Sequence, residues 1–228
     1  MIDPMASRTR EQFAKMMREI FGEYLKDNLR TSVPGHVLSF DPGTQLAEVQ
    51  IGLMIEDRLG NSEPRRPIVR VPVQFWGASG GTLECRVAEG VEGSIMFSQE
   101  CIDSWVDQGG VAVKSEPRRF SLNDAYFMPG VRSVPGAITD FANNGIRLRN
   151  NSGSMYAWLK DDGSISLSNG AGFITIGADG TVNINGVLIT PDSLVATPND
   201  VVAEAISLKL HRTSGVQSGN QISGVPIP

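Results

Sequence analysis

The chain has 228 residues, 40% hydrophobic and 20% charged, with a net charge of -5. That is enough apolar material for one or two modest domains. The acidic balance excludes a general nucleic-acid binder, which needs a basic surface to displace counterions, and an electrostatic grip on anionic lipid.

The first periodic segment runs from Thr9 to Asn28. Phe13, Met16, Met17, Ile20, Phe21, Tyr24 and Leu25 fall on one helical stripe. Thr9 with Gln12 three residues later has the form of a capping box, which predicts a helix starting there. The stripe must bury against its own domain or against another chain. No charged region followed by a long apolar run stands at the start, so no standard signal peptide is expected. No stretch approaches the run of about 18 apolar residues that a membrane-spanning helix needs.

From Val33 to about Arg132 the texture changes. VPGHVLSF, QLAEVQIGLMI, PIVRVPVQFW and GSIMFS are β-rich runs separated by proline and glycine. Strands of this length, with no long helix between them, predict a small barrel or sandwich. Asn61 to Pro67 is a polar loop, and ECIDSWVDQGG, from Glu100 to Gly110, has room for a short helical turn.

A third texture spans Asn144 to Ile189. Turn pairs Asn144-Gly145, Asp162-Gly163, Asn169-Gly170, Asp179-Gly180 and Asn185-Gly186 divide it. Between them Ile146/Leu148, Ile165/Leu167, Ile174/Ile176, Val182/Ile184 and Val187/Ile189 alternate with small or polar residues, as half-buried strands do. This predicts a β-repeat of the helix or prism class. Each strand offers too few inward residues to close a core alone. Three copies wound together would bury one apolar face of each and pair the edges. A homotrimer is expected.

The chemistry-bearing residues are sparse. Cys85 and Cys101 make a poor disulfide framework and read as two reduced thiols in the interior. The histidines are His36, in a barrel strand and structural, and His211. No Ser-His-Asp or Cys-His constellation and no phosphate loop is present, so no enzyme is expected. Asp161/Asp162 precede glycine and read as turn chemistry rather than paired catalytic acids. Phe75-Trp76 would make a stacking platform in an oligonucleotide binder, but the acidic balance favours buried or interface aromatics.

Three stretches together resemble one family. Pro72, Val73 and Phe75, then Gly93, Phe97 and Trp105, then Ser121, Asp124, Ala125, Pro129, Gly130 and Val131 follow the pattern of the N-terminal barrel of membrane-piercing central spikes of contractile phage tails. The repeat resembles that family's triple-stranded β-helix. NDVVAEAISLKLHRTSGVQSGNQISGVPIP resembles its apex. R-type bacteriocin spikes are related.

The resemblance covers roughly residues 30–228. With the N-terminal amphipathic helix read from its period (1–29), it implies a mainly β chain: an OB-fold-like barrel (30–133), an intertwined trimeric β-helix shaft (134–204) and a pointed apex (205–228). It implies a structural, non-enzymatic part of the virion tail baseplate, assembled in the host cytoplasm. The spike would cap the tail tube, dock on the hub at its N-terminal end and puncture the bacterial outer membrane at its apex. No nucleic acid is expected as a partner. The alternative is a trimeric β-helical receptor-binding or depolymerising tail fibre. At the family's apex a His-x-His pair from each chain holds iron on the trimer axis. Here His211-Arg212-Thr213 keeps the first histidine and has threonine for the second. His211 is thus the candidate metal ligand, one per chain, with iron as the implied ion and waters or Thr213 hydroxyls completing the site. Packing on the axis and a free surface position are the other readings of His211.

Overall fold

The computed structural model describes residues 4–57, 59–204 and 206–210. They form two compact units, Met1–Ala137 and Ile138–Pro228.

The first unit opens with helix α1 (Pro4–Asn28). It begins before the expected cap, so Thr9 lies inside the helix and does not cap it. Pro4 suits a first helical turn, where its missing N–H is not needed, and Met5 to Arg8 break nothing. At the other end the Asn28 Nδ2 donates to the Tyr24 carbonyl at 2.9 Å, and the Leu29 amide donates to the Leu25 carbonyl at 2.9 Å, satisfying the first of the orphan carbonyls.

Strands β1 (Ser32–Asp41) and β2 (Leu46–Ile51) form a hairpin. Asp41 fixes its turn by accepting from the Gly43 amide at 2.9 Å and the Thr44 hydroxyl at 2.7 Å. A small hairpin, β3 (Ile55–Glu56) and β4 (Ser62–Glu63), leads to β5 (Ile68–Pro72). A second one, β6 (Trp76–Ala78) and β7 (Gly81–Leu83), leads to β8 (Glu92–Phe97). Helix α2 (Asp103–Gln108) and strand β9 (Ala125–Pro129) complete the unit.

The sheet order is β5-β2-β1-β8-β9. Its two edges meet at one parallel bridge, Val73↔Phe127, where the Gln74 amide donates to the Phe127 carbonyl at 2.8 Å. The result is a curled, partly open half-barrel, as the OB-like expectation requires. Alternate residues point inward: Ala47, Val49 and Ile51 on β2 are buried. Val37, Val49, Ile95 and Phe127 are wholly buried at the centre. Gly35 and Gly93 sit opposite each other in β1 and β8. A Cβ on Gly93 would lie 2.5 Å from the Phe127 ring, and one on Gly35 2.5 Å from Ile95. The two bare positions are what let those side chains fill the curl.

The second unit is a seven-stranded antiparallel meander: β10 (Gly145–Arg149), β11 (Tyr156–Lys160), β12 (Ile165–Ser168), β13 (Phe173–Ile176), β14 (Val182–Ile184), β15 (Val187–Ile189) and β16 (Val195–Ala196). A hairpin follows, β17 (Val202–Ala203) and β18 (Ile206–Ser207). Strand β11 is absent from the apolar pairs read in the sequence. Asn144-Gly145 is not a reversal: Gly145 is the first residue of β10, and a Cβ there would lie 2.1 Å from the Leu159 carbonyl oxygen. Every strand from β10 to β16 pairs with its neighbour in the same chain. The ladder of the inner strands is therefore complete within one chain, which corrects the expectation that other copies would pair their edges.

Candidate assembly surfaces

Register decides which side chains share a face of the meander, since directly opposed residues point the same way. Ile146 faces Leu159, which faces Ile165, which faces Ile176, then Val182, Ile189 and Val195. A second row runs from Leu148 through Ala157, Leu167, Ile174 and Ile184 to Val187. Both rows are aliphatic from end to end and lie on one face. Yet they are uncovered within the chain: Ile146 is 76% exposed, Leu167 44% and Ile174 39%. A patch so continuous exceeds what a monomeric surface usually shows.

The opposite face carries the polar set. Arg147 faces Trp158, which faces Ser166, Thr175 and Asn183 in turn. The Arg147 guanidinium and the Lys160 ammonium lie 5.1 Å and 4.9 Å from the Trp158 ring centre. Tyr156 meets the same ring edge-on at 6.1 Å. Arg149 donates to the Thr139 carbonyl at 2.8 Å, and Arg147 to that of Asp140, binding the preceding segment to the face. The Trp158 indole N–H is buried there without an acceptor.

The turns form two columns of different character. Asp162 and Asp179 accept from the amides of Ser164 and Thr181 at 2.8 and 2.9 Å. On the other side Asn169 accepts from the Gly172 amide and Asn185 from the Phe173 amide, each at 2.7 Å. Asp161/Asp162 are thus turn residues, as read from the sequence. The Ser164 hydroxyl and amide hold the Asp162 carboxyl below the usual carboxylate range.

On α1 the predicted stripe is bare. Phe13, Met16, Ile20, Phe21, Tyr24 and Leu25 are between 47% and 62% exposed. The polar side carries a Lys15–Glu19 pair at 3.9 Å.

The buried chemistry of the first unit is a charge cluster beneath α2. Asp124 is wholly buried. Its Oδ1 accepts from the Ile102 amide at 3.0 Å and from Arg118 Nη2 at 2.9 Å, and its Oδ2 accepts from Arg118 Nε at 2.7 Å. Arg118 also pairs with Asp103 and Glu116, each at 2.7 Å. Burial alone would raise the Asp124 pKa. The Arg118 hydrogen bonds and charge, with the Ile102 amide, outweigh it and hold the carboxyl below its ordinary value. Among the described residues Cys101, Asp103 and Asp124 stand within ligand reach of one another. Arg118 already occupies both carboxylates, so the arrangement is an ion-pair knot rather than a metal centre. Sequence reasoning picked out Asp124 only through the resemblance; its partner Arg118 was missed, because nothing local marks an arginine as the partner of a buried carboxylate.

The other expected residues are placed as follows. His36 is half-buried in β1, opposite Glu92 on β8. Cys101 is buried but Cys85 is exposed, which corrects the expectation of two interior thiols: Cys85 sits just past the exposed β7. Phe75 packs edge-on to Phe40 at 6.2 Å beside the core, while Trp76 is 74% exposed. His211, Thr213 and the apex beyond Leu210 lie outside the described residues.

Residues 33–130 match the family model of the phage protein Gp138 N-terminal domain. The matched span begins in β1 and ends just after β9, and so takes in the whole half-barrel. It is under half of the chain. No curated protein matches the chain.

Proposed function

We propose that this chain, whose half-barrel is similar to a phage protein domain, is the trimeric central spike of a contractile tail baseplate. The aliphatic face of the meander is the observation that carries this reading. Three copies, each turning that face to a common axis, would enclose it as a triangular prism. The polar face with Arg147, Lys160 and Trp158 would be the outside. Half-exposed isoleucines and leucines stand to gain on the order of 1 kcal/mol each on being covered, so a row of them outweighs the cost of ordering three chains.

The half-barrel docks on the hub at the tail end. Sheath contraction supplies the work of crossing the bacterial outer membrane. The spike itself needs no catalysis, only stiffness and a paired backbone. Iron at His211 is a separate expectation.

Sedimentation equilibrium of the full chain tests the reading, with elemental analysis of the same sample. The expected mass is that of three chains. A stable monomer sinks the proposal, because the meander has no core without partners. A trimer that degrades capsular polysaccharide supports the tail-fibre alternative instead. Metal at about one ion per three chains would assign it to the axis.

A further inference from the structure

The α1 stripe has a width as well as a period. At about 100° per residue, Met16 and Leu25 mark its two borders, with Phe13, Ile20, Tyr24 and Phe21 between them. It covers about half the helix circumference. A two-stranded coiled coil uses only a narrow seam, while a helix packed from two sides needs a wide one. The exposed apolar area is on the order of 600 Å², the upper end of what one monomer leaves bare. At the centre of the stripe Phe13, Met17, Ile20 and Tyr24 follow the alternating spacing of a heptad seam. On the far side, Glu11, Lys15 and Glu19 stand four residues apart, and Lys15 pairs with Glu19 within the helix. The Lys15 and Glu19 charges answer each other within the helix. Gly22, on the same far side, has nothing within 4 Å of a built Cβ.

We infer that α1 packs against the α1 helices of two further copies of this chain, as a parallel three-helix bundle. The inference rests on the trimeric reading above but adds a second, separate contact. Each helix in a threefold bundle has two neighbours, one for each half of a wide stripe. A twofold pair would leave Met16 or Leu25 in water. The bundle would hold three chains in parallel register before the prism forms.

The test uses the full chain with Cys85→Ser, which removes the exposed thiol. Ile20→Cys and, separately, Tyr24→Cys place one thiol at the seam. Arg18→Cys places it on the polar side. Mild oxidation is followed on denaturing gels, and sedimentation gives the mass of each sample before oxidation. A three-chain mass with covalent dimer forming about tenfold faster at position 20 or 24 than at 18 supports the bundle. A three-chain mass with no faster cross-linking at either seam position overturns it and leaves the spike reading standing; a hub groove then becomes the occupant of the stripe. A monomeric mass for the parent Cys85→Ser chain overturns both.

Discussion

Asp124 shows how one residue can hold two elements. Its carboxylate joins the start of α2, through the Ile102 amide, to the loop carrying Arg118, while its own backbone leads into β9. Removing it leaves Arg118 with only its exposed partners, Asp103 and Glu116, and leaves the Ile102 amide without this acceptor. Asp124→Ala should cost the half-barrel about 2 to 3 kcal/mol, read as a lowered denaturant midpoint of the first unit. The pH dependence has a definite sign. The folded pKa is depressed, so the stabilisation is fully present above the unfolded value, near 4, and fades as pH falls through the folded one. Denaturation curves from pH 6 to pH 2 should show the loss below about pH 4 in the parent chain. That step should be smaller in Asp124→Ala.

At the scale of elements, the meander's apolar face invites one substitution. Ile174 lies in the middle strand, between Leu167 and Ile184. Ile174→Asp would bury a carboxylate in the proposed prism at a cost on the order of 3 kcal/mol per chain. Sedimentation should then show dissociation at micromolar concentration, with the half-barrel still folded by circular dichroism. This face was legible in the sequence because strand alternation has period two and the turns carry Asp-Gly or Asn-Gly. Strand β11 was not, because Tyr156, Trp158 and Lys160 occupy its polar face and only Ala157 and Leu159 mark the other. The start of α1 was misread because a plausible cap sequence at Thr9 competes with continued helix, and nothing after Pro4 stops it. The Arg147 and Arg149 contacts to Thr139 and Asp140 were also invisible, since they join side chains to carbonyls of a segment without regular structure.

For the whole molecule, the two units differ in what they need. The half-barrel closes on its own core, with Val37, Val49, Ile95 and Phe127 sealed from water. Residues 30–137 expressed alone should give a monomer that unfolds in one cooperative step. Residues 138–228 alone should be folded only as an oligomer, with a midpoint that rises with protein concentration. A concentration-independent midpoint for the second fragment would contradict the assembly reading. The barrel's curl was readable in outline from the proline- and glycine-bounded strands. Its closure was not, because Val73↔Phe127 joins residues distant in sequence by one isolated bridge.

The meander has a mechanical consequence. Because each strand bonds to the next in chain order, its backbone hydrogen bonds point along the stack from β10 to β16. With strands about 4.8 Å apart, the stack is about 30 Å long. A pull on its two ends would load the rungs one after another, and the sheet would unzip strand by strand. A push closes the same rungs and is resisted by atoms already in contact. Such a stack bears load in one direction only. That would suit the proposed spike, which is driven forward once and never drawn back.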